Sequence, residues 1–383
     1  MTQDRTGNKC VVIVAGEASG DRHGAKLVRA MLAVDPSLSF RGIGGPAMRN
    51  SGVRTDFDAA RLAVVGITEV LSRLPAIVAA LRLVKNLLRR LRPSLLVLID
   101  FPEFNLKIAA AAKRFGIPVL YYISPQIWAW RPGRVKRIAR CVDRMAVILP
   151  FEEAFYRQHR VNATFVGHPL LDDPSASAQN GSPDRRTAGA DRVIALLPGS
   201  RAVEIKRHLP PMLGAASILQ RRQPELHFRL SRAAGLDEEM FNRLLERSPT
   251  PRNLSIEDGG MAQLLAACDL AVAVSGTVTL QSALHGVPMI VIYRVSRLSY
   301  WIGRALIRVP YIGLVNLVAG RQLAPELIQN DVSASRIAGE VEKLLSDPAA
   351  LLENRRQLIR LGRLLGGGGA SARVADIALS MLE

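Results

Sequence analysis

The sequence predicts an α/β fold built from two doubly wound, Rossmann-like lobes. Short apolar runs alternate with segments of helical period, a polar stretch interrupts the pattern, and the same alternation then starts again. Continuous apolar runs between helices are typical of strands buried on both faces, and therefore of parallel sheets. At 383 residues the chain also has the length of two ordinary domains. We therefore expect two lobes, each with its own core.

The first lobe is predicted over residues 1–168. Its strands are indicated by the runs CVVIVA, SLLVLID, IPVLYYI, RMAVILP and ATFVG. The segment 169–191 that follows is rich in Ser, Ala, Pro, Gly and Asp, which is typical of a linker.

The second lobe is predicted over residues 192–345. It is indicated by RVIALLPG, ELHFRLS, NLSIEDG, DLAVAVSG and VPMIVIY, with a helix from about Glu204 to Arg222. Residues 346–383 indicate two helices separated by four glycines, and the sequence leaves open which lobe they pack on. Open α/β sheets bind ligands beyond the carboxyl ends of their strands. Two such lobes facing each other across a cleft would suit a nucleotide-sugar enzyme.

Charge and cysteine content narrow the class of protein. The formal net charge is +18, and such a surface attracts nucleic acid, anionic lipid or phosphorylated substrates. The three cysteines have no paired spacing, which favours a reducing compartment and argues against a zinc site. No apolar run approaches the roughly 18 residues that span a bilayer, so membrane contact is expected to be peripheral.

Metal ligands are not indicated. Asp56 and Asp58 form a D-x-D pair, but such pairs arise often by chance and this one does not close an apolar strand. Because no other group of residues has ligand spacing, we predict no metal and no cofactor.

The segment GEASGDRHG, from Gly16 to Gly24, follows the first predicted strand. Its glycines would let backbone N–H groups approach an anion, and Ser19 or Asp21 would cap the next helix. A capped strand-to-helix turn without a ligand explains the same residues, and spacing alone favours that interpretation.

Asp100 ends the run SLLVLID and is the candidate catalytic residue of the first lobe. A carboxylate at the carboxyl end of a strand can accept a proton from a substrate hydroxyl, which accelerates reactions by roughly 10² to 10⁴. An N-cap for the following helix explains Asp100 about equally well. Glu103 is a second carboxylate in a less favourable place.

Two glycine turns of the second lobe fit a diphosphate. Each lies between an apolar strand and a helix, where backbone donors can meet phosphate oxygens, and one of them adds a guanidinium. The residues are Gly199, Ser200 and Arg201 in LPGSR, and Ser275, Gly276 and Thr277 in SGT. A single turn of this kind is common enough to be explained by chance. Two of them in one lobe favour a diphosphate ligand.

A basic aromatic segment, SPQIWAWRPGRVKRI from Ser124 to Ile138, follows another predicted strand. It puts tryptophans directly before a group of Arg and Lys residues. Apolar surface beside concentrated positive charge suits a substrate that is part lipid and part anion.

Two further segments have the pattern of basic amphipathic helices. In AIVAALRLVKNLLRRLR, packing of the apolar stripe from Ile77 to Leu91 on the core is the favoured interpretation. In RVSRLSYWIGRALIRV, Trp301 would share a helical face with arginines, which suits an anionic membrane surface better. These arginines are Arg294, Arg297, Arg304 and Arg308.

Taken together, the motifs resemble those of the lipid-A-disaccharide synthases. The resemblance rests on GEASGD, the D-x-P-x-F-N segment, SPQIWAWRPGRVKRI, GHPLLD, LPGSR with its E-I-x-R-x-L-P continuation, SGT-x-TL and NLVAGRQLAPELIQ, in order from about residue 11 to residue 330. It implies a fold of the GT-B kind and an inverting glycosyl transfer without a metal. The implied donor is UDP-2,3-diacylglucosamine and the implied acceptor is 2,3-diacylglucosamine 1-phosphate, which give a β-1,6 disaccharide phosphate and UDP.

The resemblance also implies roles for residues. Asp100 takes the position of the base that deprotonates the acceptor 6-hydroxyl, and Arg201 with the Ser275–Thr277 turn would hold the UDP diphosphate beside Asn316. The acceptor side would include Glu17, Ser19, Asp21, Trp128, Arg134 and Arg137.

Gln281 departs from the expected pattern, because related two-lobed transferases usually carry Glu there, bound to the ribose of UDP. Gln keeps an acceptor oxygen but loses the charge. A catalytically weak, membrane-bound relative is therefore one alternative, and another UDP-GlcNAc enzyme of the same architecture is a second. A nucleic-acid-binding protein is a third, but the chain has no docking motif or regular aromatic platform, and we predict no nucleic-acid partner.

The predicted location is the cytoplasm, with peripheral association at the inner face of the bacterial inner membrane. The sequence leaves a homodimer open.

Overall fold

The computed structural model describes residues 9–62, 67–130, 132–173, 192–307 and 309–382. The chain divides into two compact units. Unit 1 comprises Met1–Asp172 together with Leu365–Glu383, and unit 2 comprises Asp173–Leu364. Each unit contains one parallel β-sheet with helices packed against it.

Unit 1 contains a seven-stranded sheet in the order β3-β2-β1-β4-β5-β6-β7. Its strands are β1 (Cys10–Ala15), β2 (Ser39–Gly44), β3 (Val53–Asp58), β4 (Leu95–Ile99), β5 (Val119–Tyr122), β6 (Arg144–Val147) and β7 (Ala163–Phe165). Its first helices are α1 (Ala18–Val34), α2 (Pro46–Arg49), α3 (Ile67–Leu91), α4 (Pro102–Arg114), α5 (Ile127–Trp130), α6 (Val135–Cys141) and α7 (Pro150–Gln158). Short 3₁₀ turns cover Ala59–Arg61, Pro132–Arg134 and Pro169–Asp172.

Unit 2 contains a six-stranded sheet in the order β10-β9-β8-β11-β12-β13. Its strands are β8 (Val193–Leu197), β9 (His227–Arg232), β10 (Leu254–Asp258), β11 (Leu270–Val274), β12 (Met289–Tyr293) and β13 (Glu326–Ile328). Its helices are α8 (Ala202–Arg222), α9 (Glu238–Glu246), α10 (Met261–Ala266), α11 (Thr277–Leu284), α12 (Arg297–Leu306), α13 (Leu314–Ala319), α14 (Ala334–Leu345) and α15 (Pro348–Leu364). A 3₁₀ turn covers Gln329–Asp331.

Burial on both faces explains why the predicted strands are continuously apolar. In β1, Val12 and Val14 belong to one hydrophobic cluster, whereas Val11 and Ile13 belong to a second one on the opposite face. Because successive side chains of a strand point to opposite faces, a two-sided core requires apolar residues at every position. The prediction of doubly wound parallel sheets is confirmed in both units.

Three strands escape prediction from the sequence, because β2, β3 and β13 have no continuous apolar run. The D-x-D pair lies in β3, at the edge of the sheet. Asp56 forms an ion pair with Arg41, and Asp58 accepts a hydrogen bond from the Ala60 N–H at the following 3₁₀ turn. Both carboxylates therefore have structural partners.

The two C-terminal helices belong to different units. Helix α15 belongs to unit 2, whereas α16 (Ala370–Ser380) lies in unit 1 and packs on α1. The carboxylate of Asp172 accepts hydrogen bonds from the backbone N–H groups of Gly369, Ala370 and Ser371 at 2.7 to 2.9 Å, which fixes the start of α16. The predicted segment 346–383 is thus divided between the units.

The first unit also extends beyond its predicted end at residue 168. The 3₁₀ turn Pro169–Asp172, which the sequence assigns to the linker, belongs to unit 1. The rest of the predicted linker, residues 174–191, lies outside the described residues.

Most of the apolar stripe of α3 packs on the core, as predicted, but Leu91 at its end is 38% exposed. Ala80, Val84 and Leu88 are fully buried, and Ile77 and Leu81 pack against the same cluster. Across the parts of the chain that the structure describes, no helix combines the length and the apolarity that crossing a bilayer requires.

Candidate active site

Asp100 lies directly after β4 and lines a pocket of about 260 Å³ in unit 1. The same pocket is lined by Pro125 and Ile127, which are buried, and by Trp130 and Arg134 at more exposed positions. The ends of β4, β5 and β6 meet here because the three strands are parallel neighbours. The pocket thus combines a half-buried carboxylate, apolar surface and a guanidinium.

The N-cap interpretation of Asp100 is wrong. The N-cap residue of α4 is Phe101, in a left-handed conformation with φ of 50° and without a side-chain capping bond of its own. Asp100 itself has φ of 46°, so two consecutive residues after β4 are left-handed. Ile123, directly after β5 and also at the pocket, has φ of 61°.

The GEASGD segment is mostly helical rather than a glycine turn. Helix α1 begins at Ala18, and its N-cap residue Glu17 makes no side-chain capping bond. Half-buried Ser19 lies in the first helical turn. Asp21 is buried and caps a different helix, because its carboxylate accepts hydrogen bonds from the N–H groups at the start of α2. The expectation that Ser19 or Asp21 caps α1 is therefore wrong.

The glycines of this segment serve close packing. At Gly16 a Cβ atom would lie 2.4 Å from the ring of Phe101, and at Gly24 one would lie 2.7 Å from Sδ of Met48. Gly16 therefore makes room for the aromatic ring that follows Asp100. This favours the structural interpretation of the segment over an anion-binding turn.

In the basic aromatic segment the two tryptophans have different environments. Trp128 is only 8% exposed, packs edge-on against Phe151 and donates its indole N–H to Glu152. Trp130 is 38% exposed and lines the pocket. Trp128, predicted on the acceptor side, therefore has a structural position, and Trp130 presents the apolar surface.

The arginines of this segment also differ in their positions relative to the pocket. Arg134 lines the pocket and its Nη1 donates to the carboxylate of Glu103. Arg137 is exposed, with Nη2 3.4 Å from the carbonyl oxygen of Leu106. The structure thus brings Arg134, and not Arg137, to the lining of the Asp100 pocket. Arg131 lies outside the described residues.

Glu152 is a residue of this pocket that the sequence analysis missed. It is 1% exposed, and its carboxylate accepts hydrogen bonds from Ser124 Oγ, Trp128 Nε1 and the N–H groups of Ile148 and Leu149. Burial raises the pKa of Glu152, while these four donors favour the charged carboxylate. Glu152 ties the loop after β5 to the loop after β6.

The first glycine turn of unit 2, Gly199 to Arg201, already binds a carboxylate of the protein itself. The N–H groups of Ser200 and Arg201 donate to the carboxylate of Glu204 at 3.2 and 3.3 Å, and Gly199, with φ of 105°, lies against the same oxygen. The guanidinium of Arg201 is exposed and lies 3.8 Å from Glu204. The N–H groups of Ser200 and Arg201 are therefore already bound to Glu204, and the side chains of both residues are exposed.

The second turn lies between β11 and α11. Ser275 Oγ donates to the carbonyl oxygen of Ile312 at 2.8 Å, Gly276 precedes the helix, and Thr277 is exposed at its first position. Gln281 is half-buried one turn further along α11. The hydroxyl of Ser275 is thus held by a neighbouring loop.

Asn316 supports that loop instead of lining a site. It is fully buried, donates to the Ala324 carbonyl and to Glu326, and accepts from the N–H groups of Leu323 and Ala324. Glu326, which the sequence analysis missed, also accepts from the N–H groups of Ile312 and Gly313. The expectation that Asn316 lines the site is therefore wrong, because all its polar atoms bind the protein.

Helix α12 presents an exposed aromatic and basic surface. Trp301 is 66% exposed, Leu306 and Ile307 are also exposed, and Arg297 and Arg304 lie on the same helix. Arg294 is exposed just before it. Arg308 of the predicted face lies outside the described residues.

Metal ligands do not converge in the described ranges. No group of three His, Cys, Asp or Glu side chains there has the arrangement of a metal site.

The fold is shared with a UDP-GlcNAc 2-epimerase and with a glycosyltransferase. UDP-GlcNAc 2-epimerase from Neisseria meningitidis bound to UDP-GlcNAc superposes with a TM-score of 0.63 at 11% identity, covering 97% of this chain and 100% of the other. The calicheamicin glycosyltransferase CalG4 superposes with a TM-score of 0.61 at 16% identity, covering 98% of both chains. The fold and the site define a glycosyltransferase with two α/β units.

Sequence comparison identifies the family. The family model described as lipid-A-disaccharide synthetase matches residues 11–367. The lipid-A-disaccharide synthase of Geobacter metallireducens is 48% identical over 377 residues, covering 98% of each chain, and that of Nitrosococcus oceani is 46% identical over 380 residues, covering 97% of this chain and 96% of the relative. The chain belongs to the lipid-A-disaccharide synthase family.

Proposed function

We propose that the chain transfers 2,3-diacylglucosamine from UDP-2,3-diacylglucosamine to the 6-hydroxyl of 2,3-diacylglucosamine 1-phosphate. The observation that carries this proposal is the half-buried Asp100 in a pocket that also offers apolar surface and a cation. An acylated sugar phosphate needs all three features. Unit 1 supplies the base and the acceptor pocket, and unit 2 binds the donor.

In this reaction Asp100 accepts the proton of the 6-hydroxyl while that oxygen forms a bond to the anomeric carbon of the donor. The bond from the anomeric carbon to the diphosphate breaks, and UDP leaves with the electron pair. Attack opposite the leaving group inverts the configuration and gives the β-1,6 linkage. A positioned base contributes roughly 10² to 10⁴ in rate.

The acceptor is recognised at the rim of the Asp100 pocket. Trp130 provides apolar surface for acyl chains, and Arg134 provides charge for the 1-phosphate. Arg134 is paired with the 65% exposed Glu103, so phosphate binding exchanges one anion for another. Glu17, Ser19 and Arg137 remain candidates for outer contacts.

The donor diphosphate is bound by Arg201 and the Ser275–Thr277 turn. The exposed guanidinium of Arg201 offers two parallel donors to a phosphate group, and Thr277 adds a hydroxyl at a helix start. Gln281 accepts a hydrogen bond from the UDP ribose. Asn316 acts indirectly, because it binds Glu326, which in turn binds the loop whose Ile312 carbonyl holds Ser275.

The lipid tails of both substrates require a protein that works at a membrane surface. We place the chain peripherally at the cytoplasmic face of the inner membrane, with α12 against anionic lipid. Its exposed Trp301 and neighbouring arginines match an interface that is apolar below and negatively charged above. A homodimer stays a prediction of the family resemblance, and light scattering of the purified chain tests it.

The decisive experiment mixes purified protein with both diacylated substrates and detects disaccharide phosphate and UDP by mass spectrometry. Asp100→Asn should lower turnover by roughly 10² or more while UDP affinity stays unchanged. Asp35→Asn is the matched control, because it makes the same change at a carboxylate between α1 and β2 that binds Ser37 and does not line the pocket. Normal turnover by Asp100→Asn would place the base elsewhere.

The alternative of a catalytically weak relative depends on Gln281. Gln281→Glu should tighten UDP binding if this side chain meets the ribose, because a carboxylate is the stronger acceptor. High turnover by the unmodified chain would remove the alternative, whereas turnover that appears only in Gln281→Glu would support it.

A further inference from the structure

The backbone at Asp100 has an unusual conformation that needs support. Asp100 and Phe101 are both left-handed, with φ of 46° and 50°. Asp tolerates this region better than most residues, but a bulky aromatic residue rarely adopts it. Such conformations are unfavourable and persist only where surrounding contacts compensate.

Two buried side chains bind the peptide unit of this turn. The hydroxyl of Tyr121 donates to the carbonyl oxygen of Asp100 at 2.7 Å, and Asn105 Nδ2 donates to the same oxygen at 2.7 Å. Asn105 Nδ2 also donates to the carbonyl oxygen of Ile99 at 3.1 Å. Two carbonyl groups that end strand β4 are thus held by side chains of α4 and β5.

A third contact closes the turn from the other side. The ring of Phe101 lies against Gly16, where any Cβ atom would come within 2.4 Å of it. The N–H of Asn105 also donates to the carbonyl oxygen of Phe101 at 3.0 Å. The left-handed pair is therefore held at the Asp100 carbonyl, at the Phe101 carbonyl and at the Phe101 ring.

Resting on the assignment of Asp100 as the base, we propose that Tyr121 and Asn105 are positioning residues that set the direction of the Asp100 carboxylate by holding its carbonyl oxygen. The direction of the Cα–Cβ bond follows from the backbone dihedral angles, so a turn that relaxes to a right-handed conformation points the carboxylate away from the pocket. Misplacement by about 1 Å can cost 10²-fold in rate. Neither residue lines the pocket itself.

Tyr121→Phe is the sharpest test, because it removes one hydroxyl and keeps the buried ring. We expect kcat to fall at least about tenfold, with the UDP dissociation constant unchanged. Tyr122→Phe is the matched control: it removes a buried hydroxyl from the next residue of β5, whose side chain belongs to the core on the opposite face of the sheet. Tyr122→Phe should keep kcat within about twofold.

A double variant tells whether Tyr121 acts through Asp100. In the Asp100→Asn background, Tyr121→Phe should cause no further loss of kcat, since no base is left to position. Full additivity of the two losses would overturn the proposal. Normal kcat in Tyr121→Phe beside an impaired Asp100→Asn would also overturn it, but would leave the base assignment intact. Normal kcat in Asp100→Asn would instead reject Asp100 as the base while leaving the proposed transfer intact, and absence of disaccharide formation by the unmodified chain would reject the proposed function.

Gly16→Ala provides a second route should Tyr121→Phe fold poorly. It leaves Tyr121 and Asn105 unchanged and displaces the Phe101 ring. The same loss of kcat with unchanged UDP affinity is expected, and a normal kcat in folded Gly16→Ala would contradict the positioning of Asp100 by this turn.

Discussion

The indole N–H of Trp128 donates to the carboxylate of Glu152 at 3.0 Å, in the interior of unit 1. The same carboxylate oxygen accepts from Ser124 Oγ at 2.6 Å, so both partners lie on the segment that leads from β5 to Trp130. Glu152 therefore determines where this wall of the Asp100 pocket lies.

Replacing Glu152 with Gln should destabilise unit 1 strongly. Each carboxylate oxygen faces two donors, and an amide NH₂ group at either position would meet donors instead of an acceptor. We expect Glu152→Gln to lower the free energy of unfolding by about 3 kcal/mol, measured by urea denaturation.

The control is Glu153→Gln, on the same helix. Glu153 pairs with the exposed Arg157 at a spacing of one helical turn, and such pairs contribute only about 0.3–0.5 kcal/mol. Equal losses in the two variants would show that the buried network is not what stabilises the loop.

Stability should decrease on acidification because His23 and His168 are enclosed in unit 1. Burial is the main cause that lowers the pKa of each to about 4, from an ordinary value of 6.5. Below pH 6.5 the unfolded chain binds protons that the folded chain does not, so stability is lost as the pH falls from 6.5 towards 4. At pH 5 each histidine should cost about 2 kcal/mol.

Urea midpoints at pH 7.5 and pH 5 measure this loss. His168→Asn keeps an acceptor for the Leu170 N–H, which His168 Nδ1 binds at 3.2 Å, but it does not titrate. This variant should lose less stability between the two pH values than the parent chain does. An unchanged pH dependence would mean that His168 is not responsible.

The carboxylate of Glu204 should oppose UDP binding at the first turn of unit 2. It lies 3.8 Å from the guanidinium of Arg201 and occupies the N–H groups of Ser200 and Arg201. Glu204→Gln keeps an acceptor oxygen for these groups and removes the negative charge. We expect UDP to bind about threefold more tightly, measured by isothermal titration calorimetry.

Glu246→Gln, an exposed change of the same charge on another helix of unit 2, should leave UDP affinity unchanged. Weaker UDP binding in Glu204→Gln would instead mean that the charged carboxylate supports the turn in the UDP-bound state.

Helix α12 should contribute to binding of anionic vesicles. Basic residues near such a surface contribute about 1 kcal/mol each, so Arg297→Gln with Arg304→Gln should weaken binding roughly 30-fold. Vesicles of phosphatidylglycerol and phosphatidylcholine, sedimented with the protein, measure this. Arg221→Gln with Arg247→Gln makes the same charge change at exposed arginines elsewhere in unit 2. Equal effects of the two pairs would show that only net charge matters.

The sequence predicts the elements that a local pattern determines. An apolar run that ends in a carboxylate was enough to place Asp100 at the end of β4, and the glycine turns of unit 2 lie where the strands predicted them. The partners of polar residues are less accessible to prediction. Glu152 lies 24 and 28 residues from Trp128 and Ser124, and no periodic pattern connects them.

Asn316 and Asp21 are two further residues whose hydrogen-bond partners could not be predicted from the sequence. Both resemble ligand-binding residues by type and position, but each binds backbone N–H groups of a separate segment. Only the folded structure shows which backbone N–H groups depend on these two side chains for a hydrogen-bond acceptor. The alternating strands of β2 and β3 were missed for a simpler reason, because their polar positions hide the apolar ones.

Because α16 belongs to unit 1, the core of unit 1 can be completed only after unit 2 has been synthesised. Val374, Ala375 and Ala378 of this helix are part of the same hydrophobic cluster as β1, although more than 350 residues of sequence lie between them. Unit 2 is a continuous segment and has all its residues once Leu364 has left the ribosome. Until α16 has been synthesised, one face of the N-terminal sheet lacks part of its cover, so apolar surface that the folded chain buries stays exposed on the nascent chain.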